Sequence, residues 1–349
     1  TVGLCRLIDR PRWTGFVNGV LRGIGRLLSD EPAIEPSPFT LPTSAGQWRN
    51  LNEAILPDPR FERTDYFADA FSLPQALAER WTSRLTETEL IAACFHSIDP
   101  PETTLRINSM RANRAAVLQS LLDAGCKASA GRIDGSLHLE QSPRLETLPG
   151  YAEGLWCVQD EAAMSASLLL APQTGETILD LCAAPGGKTT HLAELSGDTA
   201  IIVACDVANG RLQRIRDNAA RLQLTSIQPM VIPKDGRDLP AGPFDAVLVD
   251  VPCSNTGVLN RRPEARWRFD MNGLNELVVL QTRLLLQACE LVRPGGRVVY
   301  STCSMEPEEN RGVVDAVLLA RKDFRLDREN LHQPGFPADG AYQALLIRS

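Results

Sequence analysis

The sequence predicts an α/β protein organised around a doubly wound, largely parallel sheet. From about Gln159 onward, short runs of β-branched and apolar residues alternate with segments of helical spacing. Runs such as 246–249 are apolar throughout, which is typical of strands buried on both faces. Two adjacent glycines, Gly186 and Gly187, follow the first strand and begin the next helix, as in nucleotide-binding turns. Ligands of such sheets bind at the carboxyl ends of the strands.

Length and composition exclude several classes of protein. The 349 residues allow two or three domains, and no apolar run approaches the length of a membrane span. The nine cysteines are odd in number and lack the spacing of metal ligands or of a disulfide framework, so we expect no metal site and reduced thiols in a cytoplasm. A net charge of -7 argues against a protein that binds nucleic acid over its whole surface, although it permits a local basic patch.

The first half of the chain predicts smaller units. Residues 1–30 have the apolar spacing of a helical domain's end, and the prolines of 31–60 predict a linker. Residues 61–156 mix helices and strands as in a small α+β domain, and 157–349 carry the main sheet. Arg106 lies at a strand-to-helix junction with other polar residues, which fits either an RNA-facing patch or solvated surface charge.

The elements follow from this periodicity in chain order. The pattern predicts helices at 74–81, 86–94, 113–124, 160–171, 188–195, 210–222, 274–292 and 307–320. It predicts strands at 104–108, 136–139, 177–181, 200–205, 227–232, 244–249 and 297–302.

The glycine turn matches neither of two common phosphate-binding motifs. A Walker loop requires glycine at the position of Cys182, and the dinucleotide fingerprint G-x-G-x-x-G is absent. Asp206 ends the second strand, where a carboxylate can hold ribose hydroxyls, and Asp235 follows the third strand, where it can meet an adenine amino group. This pattern suits S-adenosylmethionine. The alternative is a turn that only allows the strand and helix to pack.

Two cysteines follow neighbouring strands. Cys253 lies in a turn after the fourth strand and Cys303 in a turn after the fifth. Methylation of cytosine C5 requires such a thiol, because addition of a thiolate to C6 makes C5 nucleophilic. Asp250 can supply the proton or hydrogen bond that this addition needs at N3, and Cys253 can assist removal of the C5 proton. Other buried cysteines are more simply small apolar residues.

At these residues the sequence resembles the RNA cytosine-C5 methyltransferases of the Nol1/Nop2/Sun group, most closely the bacterial 16S ribosomal RNA enzymes of the Sun type. The resemblance extends through essentially the whole chain. The runs that carry it are 158–160, 180–191, 250–254, 256–258, 262–264 with Trp267, 294–296, 302–304 and 306–310.

The resemblance implies a Rossmann-like methyltransferase sheet that uses S-adenosylmethionine. It makes Cys303 the nucleophile and Cys253 the residue needed for product release, with Asp250 against both cytosine and cofactor. It implies that 61–156 is an RNA-recognition subdomain and that 1–30 ends a NusB-like helical domain. The residues that it assigns to the cofactor are Cys182, Ala183, Ala184, Pro185, Gly186, Gly187, Lys188, Asp206, Asp235 and Asp250.

The densest basic cluster of the chain lies between the fourth strand and the next helix. It includes Arg261, Arg262 and Arg266 and carries Trp267, a composition suited to phosphate contacts and packing against a base. The alternative is a structural loop whose arginines pair with nearby acids. Because C5 chemistry needs both faces of the ring, we expect the target cytosine to be unpaired or flipped out.

These observations predict an enzyme that methylates C5 of a cytosine in 16S ribosomal RNA through a covalent Cys–C6 adduct. The same chemistry on transfer RNA or on another ribosomal RNA site is an open alternative. A ribosome-assembly factor that binds RNA without turnover is another, although it predicts a lost nucleophile or a broken cofactor turn. We expect a monomer without membrane association.

Overall fold

The computed structural model describes residues 2–140, 144–233, 238–335 and 338–349. Its contacts divide the chain into two compact units. The first comprises residues 1–99 with 266–268, and the second comprises 100–265 with 269–349. This division falls inside the predicted subdomain at 61–156, and the boundaries derived from the sequence stay a prediction.

The first unit begins with helices α1 (Leu4–Leu7) and α2 (Thr14–Leu27), followed by a small antiparallel sheet. Its strands are β1 (Leu28–Ala33), β2 (Thr40–Ser44) and β3 (Gln47–Leu51), in the order β1-β3-β2. This sheet occupies much of the stretch for which the prolines predicted a linker. Pro32 and Pro42 lie in its two outer strands, where a missing backbone N–H group is tolerated.

Three helices complete the first unit: α3 (Arg63–Ala70), α4 (Gln75–Arg84) and α5 (Glu87–Ile98). Thr86 begins α5 with a capping box, because its side chain and that of Glu89 each bond the other's backbone N–H. Trp48 of β3 packs edge-on against Phe71 and Phe95, with ring centroids 5.7 and 5.1 Å away. This aromatic core joins the small sheet to the helices.

The second unit contains a four-stranded antiparallel sheet. Its strands are β4 (Thr103–Ile107), β5 (Ala128–Ala130), β6 (Ser136–Leu139) and β7 (Trp156–Val158), in the order β5-β6-β4-β7. Helix α6 (Arg114–Asp123) contributes Val117 and Leu121 to the core of this sheet. The predicted strands near 104 and 136 and the helix between them are confirmed.

The larger sheet of this unit has seven strands in the order β10-β9-β8-β11-β12-β14-β13. Only β14 runs against the others. Its strands are β8 (Thr177–Leu181), β9 (Ile201–Asp206), β10 (Ile227–Val231), β11 (Phe244–Asp250), β12 (Val292–Thr302), β13 (Phe324–His332) and β14 (Ala341–Arg348). The helices in the same part of the chain are α7 (Glu161–Leu170), α8 (Gly187–Leu195), α9 (Asn209–Leu222), α10 (Pro263–Arg266), α11 (Met271–Leu291) and α12 (Arg311–Ala320). Arg266, the last residue of α10, is assigned to the first unit.

The predicted Rossmann-like α/β fold is confirmed. Apolar side chains of α11 and α12 cover one face of the sheet, and those of α7, α8 and α9 cover the other. The strand order reverses between β8 and β11, which is the switch point where such sheets bind ligands. The last two strands were not predicted from the sequence. In β13 most side chains are exposed, so its apolar signal is weak.

A buried arginine ties the four-stranded sheet to α8. The guanidinium of Arg106, on β4, is 1% exposed and donates to both carboxylate oxygens of Glu194, at 2.7 and 3.0 Å. It also donates to the backbone oxygen of Gly187 at 2.7 Å and to the hydroxyl of Thr190 at 3.0 Å. Because these partners occupy its donors inside the protein, the structure does not support the predicted RNA contact at Arg106.

Replacing this arginine should destabilise the fold. We expect Arg106→Met to lower the free energy of unfolding by about 3–5 kcal/mol, because it leaves the Glu194 carboxylate buried without its partner. Urea denaturation followed by circular dichroism measures the change. The matched control is Arg111→Met at an exposed arginine, which should cost no more than about 0.5 kcal/mol. Equal losses for the two variants would contradict this role.

Candidate active site

The glycine turn between β8 and α8 forms the centre of the site. Gly186 has a φ of 103°, in the left-handed region, and a Cβ there would lie 3.0 Å from the Cγ1 of Ile215. Both facts make a side chain at this position strained. Gly187 has room for one, since its nearest neighbour, Gln159, would be 3.7 Å away. The turn therefore requires the first glycine for its shape.

The carboxylate of Asp206 lies beside this turn at the end of β9. It is 2% exposed and accepts hydrogen bonds from the backbone N–H groups of Ala184, at 3.3 Å, and Ala208, at 3.2 Å. Arg211 contacts the same carboxylate at 3.4 Å and donates to the backbone oxygen of Ala184 at 2.9 Å. These contacts fix the carboxylate at the carboxyl edge of the sheet.

An ion pair spans the switch point. The ammonium of Lys188, in the first turn of α8, lies 2.7 Å from the Oδ2 of Asp250, the last residue of β11. Burial alone would lower the pKa of Lys188, but attraction to Asp250 outweighs it and the pKa is raised. Lys188 therefore carries its charge at neutral pH and holds the carboxylate of Asp250 in place.

The two predicted cysteines meet at the ends of β11 and β12. The Sγ atoms of Cys253 and Cys303 are 3.2 Å apart, and the Cys303 sulfur lies 3.3 Å from the Oδ1 of Asn255. Both thiols are free. The hydrogen bond with Cys303, burial and the charge of Glu309 raise the pKa of Cys253 well above its ordinary value. Cys253 is therefore a neutral thiol at neutral pH.

A cleft of about 630 Å³ joins these groups, a volume typical of small-molecule sites. It lies in the second unit at the carboxyl edge of the seven-stranded sheet. Ala183, Gly186 and Gly187 form the turn behind its wall, and Asp235 lies outside the described residues. The predicted site residues that line the cleft are Cys182, Ala184, Pro185, Lys188, Asp206, Asp250, Cys253, Arg261, Arg262 and Cys303.

The predicted RNA contacts separate into different environments. Arg266 is buried within the first unit and donates to the backbone oxygens of Phe71, at 3.1 Å, and Ser72, at 3.2 Å. Because its donors are used by backbone carbonyl groups of the protein, the structure does not support the predicted RNA contact at Arg266. Arg262 and Trp267 are exposed, and Trp267 retains 67% of its surface.

Arg261 is held by two carboxylates at the wall of the cleft. Its Nε lies 2.5 Å from Asp339 and its Nη2 lies 3.3 Å from Asp160. Burial and the neighbouring charge of Asp339 raise the pKa of Asp160 to about 6. Arg261 therefore fits the alternative interpretation of the basic cluster, in which arginines pair with nearby acids. Its side chain nevertheless lines the cleft.

The polar residues of the site that were not assigned a role from the sequence include three near the cysteines. Asn255 contacts the Cys303 sulfur, Glu309 binds the turns of both cysteines, and Gln281 binds Glu309. A signal existed for Gln281. It occupies the apolar stripe of α11 between Leu274 and Leu285, and a glutamine in such a stripe needs a buried partner.

The topology and the cleft agree with the class of protein that the family models indicate, an S-adenosylmethionine-dependent methyltransferase. A solved structure of similar fold is a methyltransferase homolog protein from Pyrococcus horikoshii, with a TM-score of 0.72 and 24% identity, covering 82% of this chain and 99% of that one. Two family models match: "16S rRNA methyltransferase RsmB/F" at residues 167–345, and the ferredoxin-like domain of RsmF/B-like methyltransferases at 73–146.

Among curated relatives, the probable ribosomal RNA small subunit methyltransferase B of Synechocystis is 39% identical over 261 residues, covering 74% of this chain and 58% of the relative. The ribosomal RNA small subunit methyltransferase B of Salmonella typhi is 36% identical over 355 residues, covering 98% and 75%. The chain belongs to the 16S rRNA methyltransferase RsmB/F family. None of its described helices is long and apolar enough to cross a membrane.

The two glycines of the turn should respond differently to substitution. We expect Gly186→Ala to cost about 1–3 kcal/mol of stability, because alanine is strained at a positive φ and its Cβ would press on Ile215. The matched control, Gly187→Ala, should be close to neutral because its Cβ meets only ordinary contacts. Urea denaturation measures both. A neutral Gly186→Ala variant would contradict this account of the turn.

Proposed function

We propose that this protein transfers a methyl group from S-adenosylmethionine to C5 of a cytosine in 16S ribosomal RNA. The observation that carries the proposal is the pair of free thiols 3.2 Å apart, which lie in one cleft with the Lys188–Asp250 ion pair. Membership of the RsmB/F family supports the RNA class.

The residues of the cleft fit the methyl donor. The carboxylate of Asp206 suits ribose hydroxyls, because it lies at the end of the strand next to the glycine turn. The N-terminus of α8 begins at the glycine turn, where free backbone N–H groups favour polar or anionic groups of a ligand. When bound, S-adenosylmethionine supplies an electrophilic methyl group. We propose that Asp250 contacts both this ligand and the base, as its position in the cleft beside Cys253 and Cys303 allows.

The two cysteines have different roles in the proposed reaction of the cytosine ring. The thiolate of Cys303 adds to C6 of cytosine while N3, where electron density develops, takes up a proton from water, and the carboxylate of Asp250 accepts a hydrogen bond from this N3–H. C5 then takes up the methyl group with S-adenosylhomocysteine as the leaving group, and N3 returns its proton to water. Cys253, directly or through a water, removes the C5 proton, and the electron pair of that C–H bond re-forms the C5–C6 double bond and expels Cys303. The raised pKa of Cys253 keeps it a neutral thiol beside Cys303 before addition, so Cys253 must pass its own proton to water before it accepts the C5 proton.

Other features of the chain belong to the same proposal. A cytosine must leave its stack to reach a thiol inside a cleft, so we propose an unpaired or flipped target. Arg261 and Arg262 of the cleft wall and the exposed Trp267 are the proposed RNA contacts. Residues 1–30, 31–60, 61–156 and 157–349 are proposed as the domains of a monomer. Nine free cysteines fit a reducing cytoplasm.

Methyl transfer tests the reaction directly. Labelled S-adenosylmethionine and unmodified 16S ribosomal RNA should give one 5-methylcytosine by bisulfite mapping, and Cys303→Ala should abolish it because no adduct can form. Cys289→Ala is the matched control, since Cys289 is buried in the core away from the cleft. Parallel reactions with transfer RNA and 23S ribosomal RNA separate the alternative substrates. Full activity of Cys303→Ala would overturn the assignment of the nucleophile.

Trapping of the adduct assigns the second cysteine. We expect Cys253→Ala to accumulate a covalent RNA–protein complex, visible as a band of reduced mobility on denaturing gels, because addition proceeds while release of the C5 proton is slowed. Cys303→Ala and the double variant should give no such band. The reverse pattern would exchange the two roles. Absence of any transfer or adduct with intact protein, despite cofactor binding, would favour an RNA-binding factor without turnover.

A further inference from the structure

A single buried carboxylate joins the two turns that carry the cysteines. Glu309, two residues before the start of α12, is fully buried. Its Oε1 accepts hydrogen bonds from the backbone N–H of Ser254 at 2.8 Å and from the Nε2 of Gln281 at 2.8 Å. Its Oε2 accepts the hydroxyls of Ser254 and Ser304. Ser254 follows Cys253 and Ser304 follows Cys303, so one side chain holds the neighbour of each thiol.

The surrounding contacts make this arrangement rigid. Gln281 also donates to the backbone oxygen of Pro252 at 2.9 Å, on the other side of Cys253. The hydroxyl of Tyr300 donates to the backbone oxygen of Glu309 at 2.6 Å, which anchors the carboxylate to β12. The four hydrogen bonds to its oxygens satisfy a charge that would otherwise be costly to bury.

We propose that Glu309 is a positioning residue that sets the distance between the Cys253 and Cys303 thiols. Backbone hydrogen bonds join the two turns on either side of the thiols, from the N–H of Val251 to the oxygen of Ser301 at 3.1 Å and from the N–H of Gly257 to the oxygen of Cys303 at 3.0 Å. The shared carboxylate adds a link between the residues that directly follow the two cysteines. The inference rests on the proposed function for its purpose, since addition by one thiol and proton removal assisted by the other require both at one base. The spacing itself is a property of the protein alone.

The equilibrium between the two thiols and their disulfide measures this spacing without RNA or cofactor. In a glutathione redox buffer the folded protein's two thiols are oxidised to a disulfide while one glutathione disulfide is reduced to two glutathiones. Peptide mass spectrometry reports the fraction with a Cys253–Cys303 bond. Its equilibrium constant gives the effective concentration of one thiol near the other, which falls when the two turns move independently.

We expect Glu309→Ala to lower this effective concentration at least tenfold. Glu309→Gln should remain within about threefold of the natural protein, because a glutamine of the same length can accept from Ser254 N–H and Gln281 while the serine hydroxyls turn to accept from its amide. Asp315→Asn, which removes an exposed carboxylate of α12, is the matched control and should change nothing. If Glu309→Ala does not fold, Ser304→Ala removes one link and should give a smaller loss in the same direction.

Methyl transfer supplies the second readout. Glu309→Ala should lower kcat by about a hundredfold with KM for RNA nearly unchanged, since misplaced reacting groups slow the chemical step. The positioning role would be overturned if folded Glu309→Ala had the same effective thiol concentration as the natural protein. If Glu309→Ala does not fold, the same result for Ser304→Ala would overturn it. If Glu309→Ala shows the expected fall in effective thiol concentration but neither the natural protein nor any variant transfers methyl groups, the result would count against the proposed function alone.

Discussion

The parallel direction of β8, β9, β11 and β12 is the constraint on which the site depends. Parallel strands place all their carboxyl ends at one edge, so the turns that follow them are neighbours even when distant in sequence. The register makes this concrete, because Asp250 pairs with Ser301 across β11 and β12 and Leu181 pairs with Val249 across β8 and β11. The glycine turn and the cysteine turns meet for this reason.

Buried charges hold the turns once the sheet has brought them together. Arg106 and Glu194 join the four-stranded sheet to α8, the helix that begins at the glycine turn, and Glu309 joins the two cysteine turns. Each buried charged group is costly alone and tolerable only with its partners in place. Removing one partner of such a group is therefore destabilising, and the hydrogen bonds between the partners fix the geometry of the turns.

Electrostatics in the cleft gives the two thiols different properties. The Lys188–Asp250 pair leaves the β11 edge with little net charge, whereas Glu309 places a fixed negative charge near Cys253. The pKa of Cys253 is raised, and its sulfur lies within hydrogen-bond distance of the Cys303 sulfur. Two identical side chains at one edge thus become distinct through their surroundings, which the proposed division of roles requires.

The sequence by itself determined the fold class, the strands from β8 to β12 and several of the residues that line the cleft, because buried parallel strands leave continuous apolar runs and ligands meet their carboxyl ends. Only the tertiary structure decided which of the arginines are buried, paired or exposed. Arg106 and Arg266 are buried, Arg261 is paired and Arg262 is exposed, although all four are the same residue in polar contexts. The partnership of Glu309 with both cysteine turns is likewise tertiary. A charge's role depends on partners distant in sequence, which local patterns do not encode.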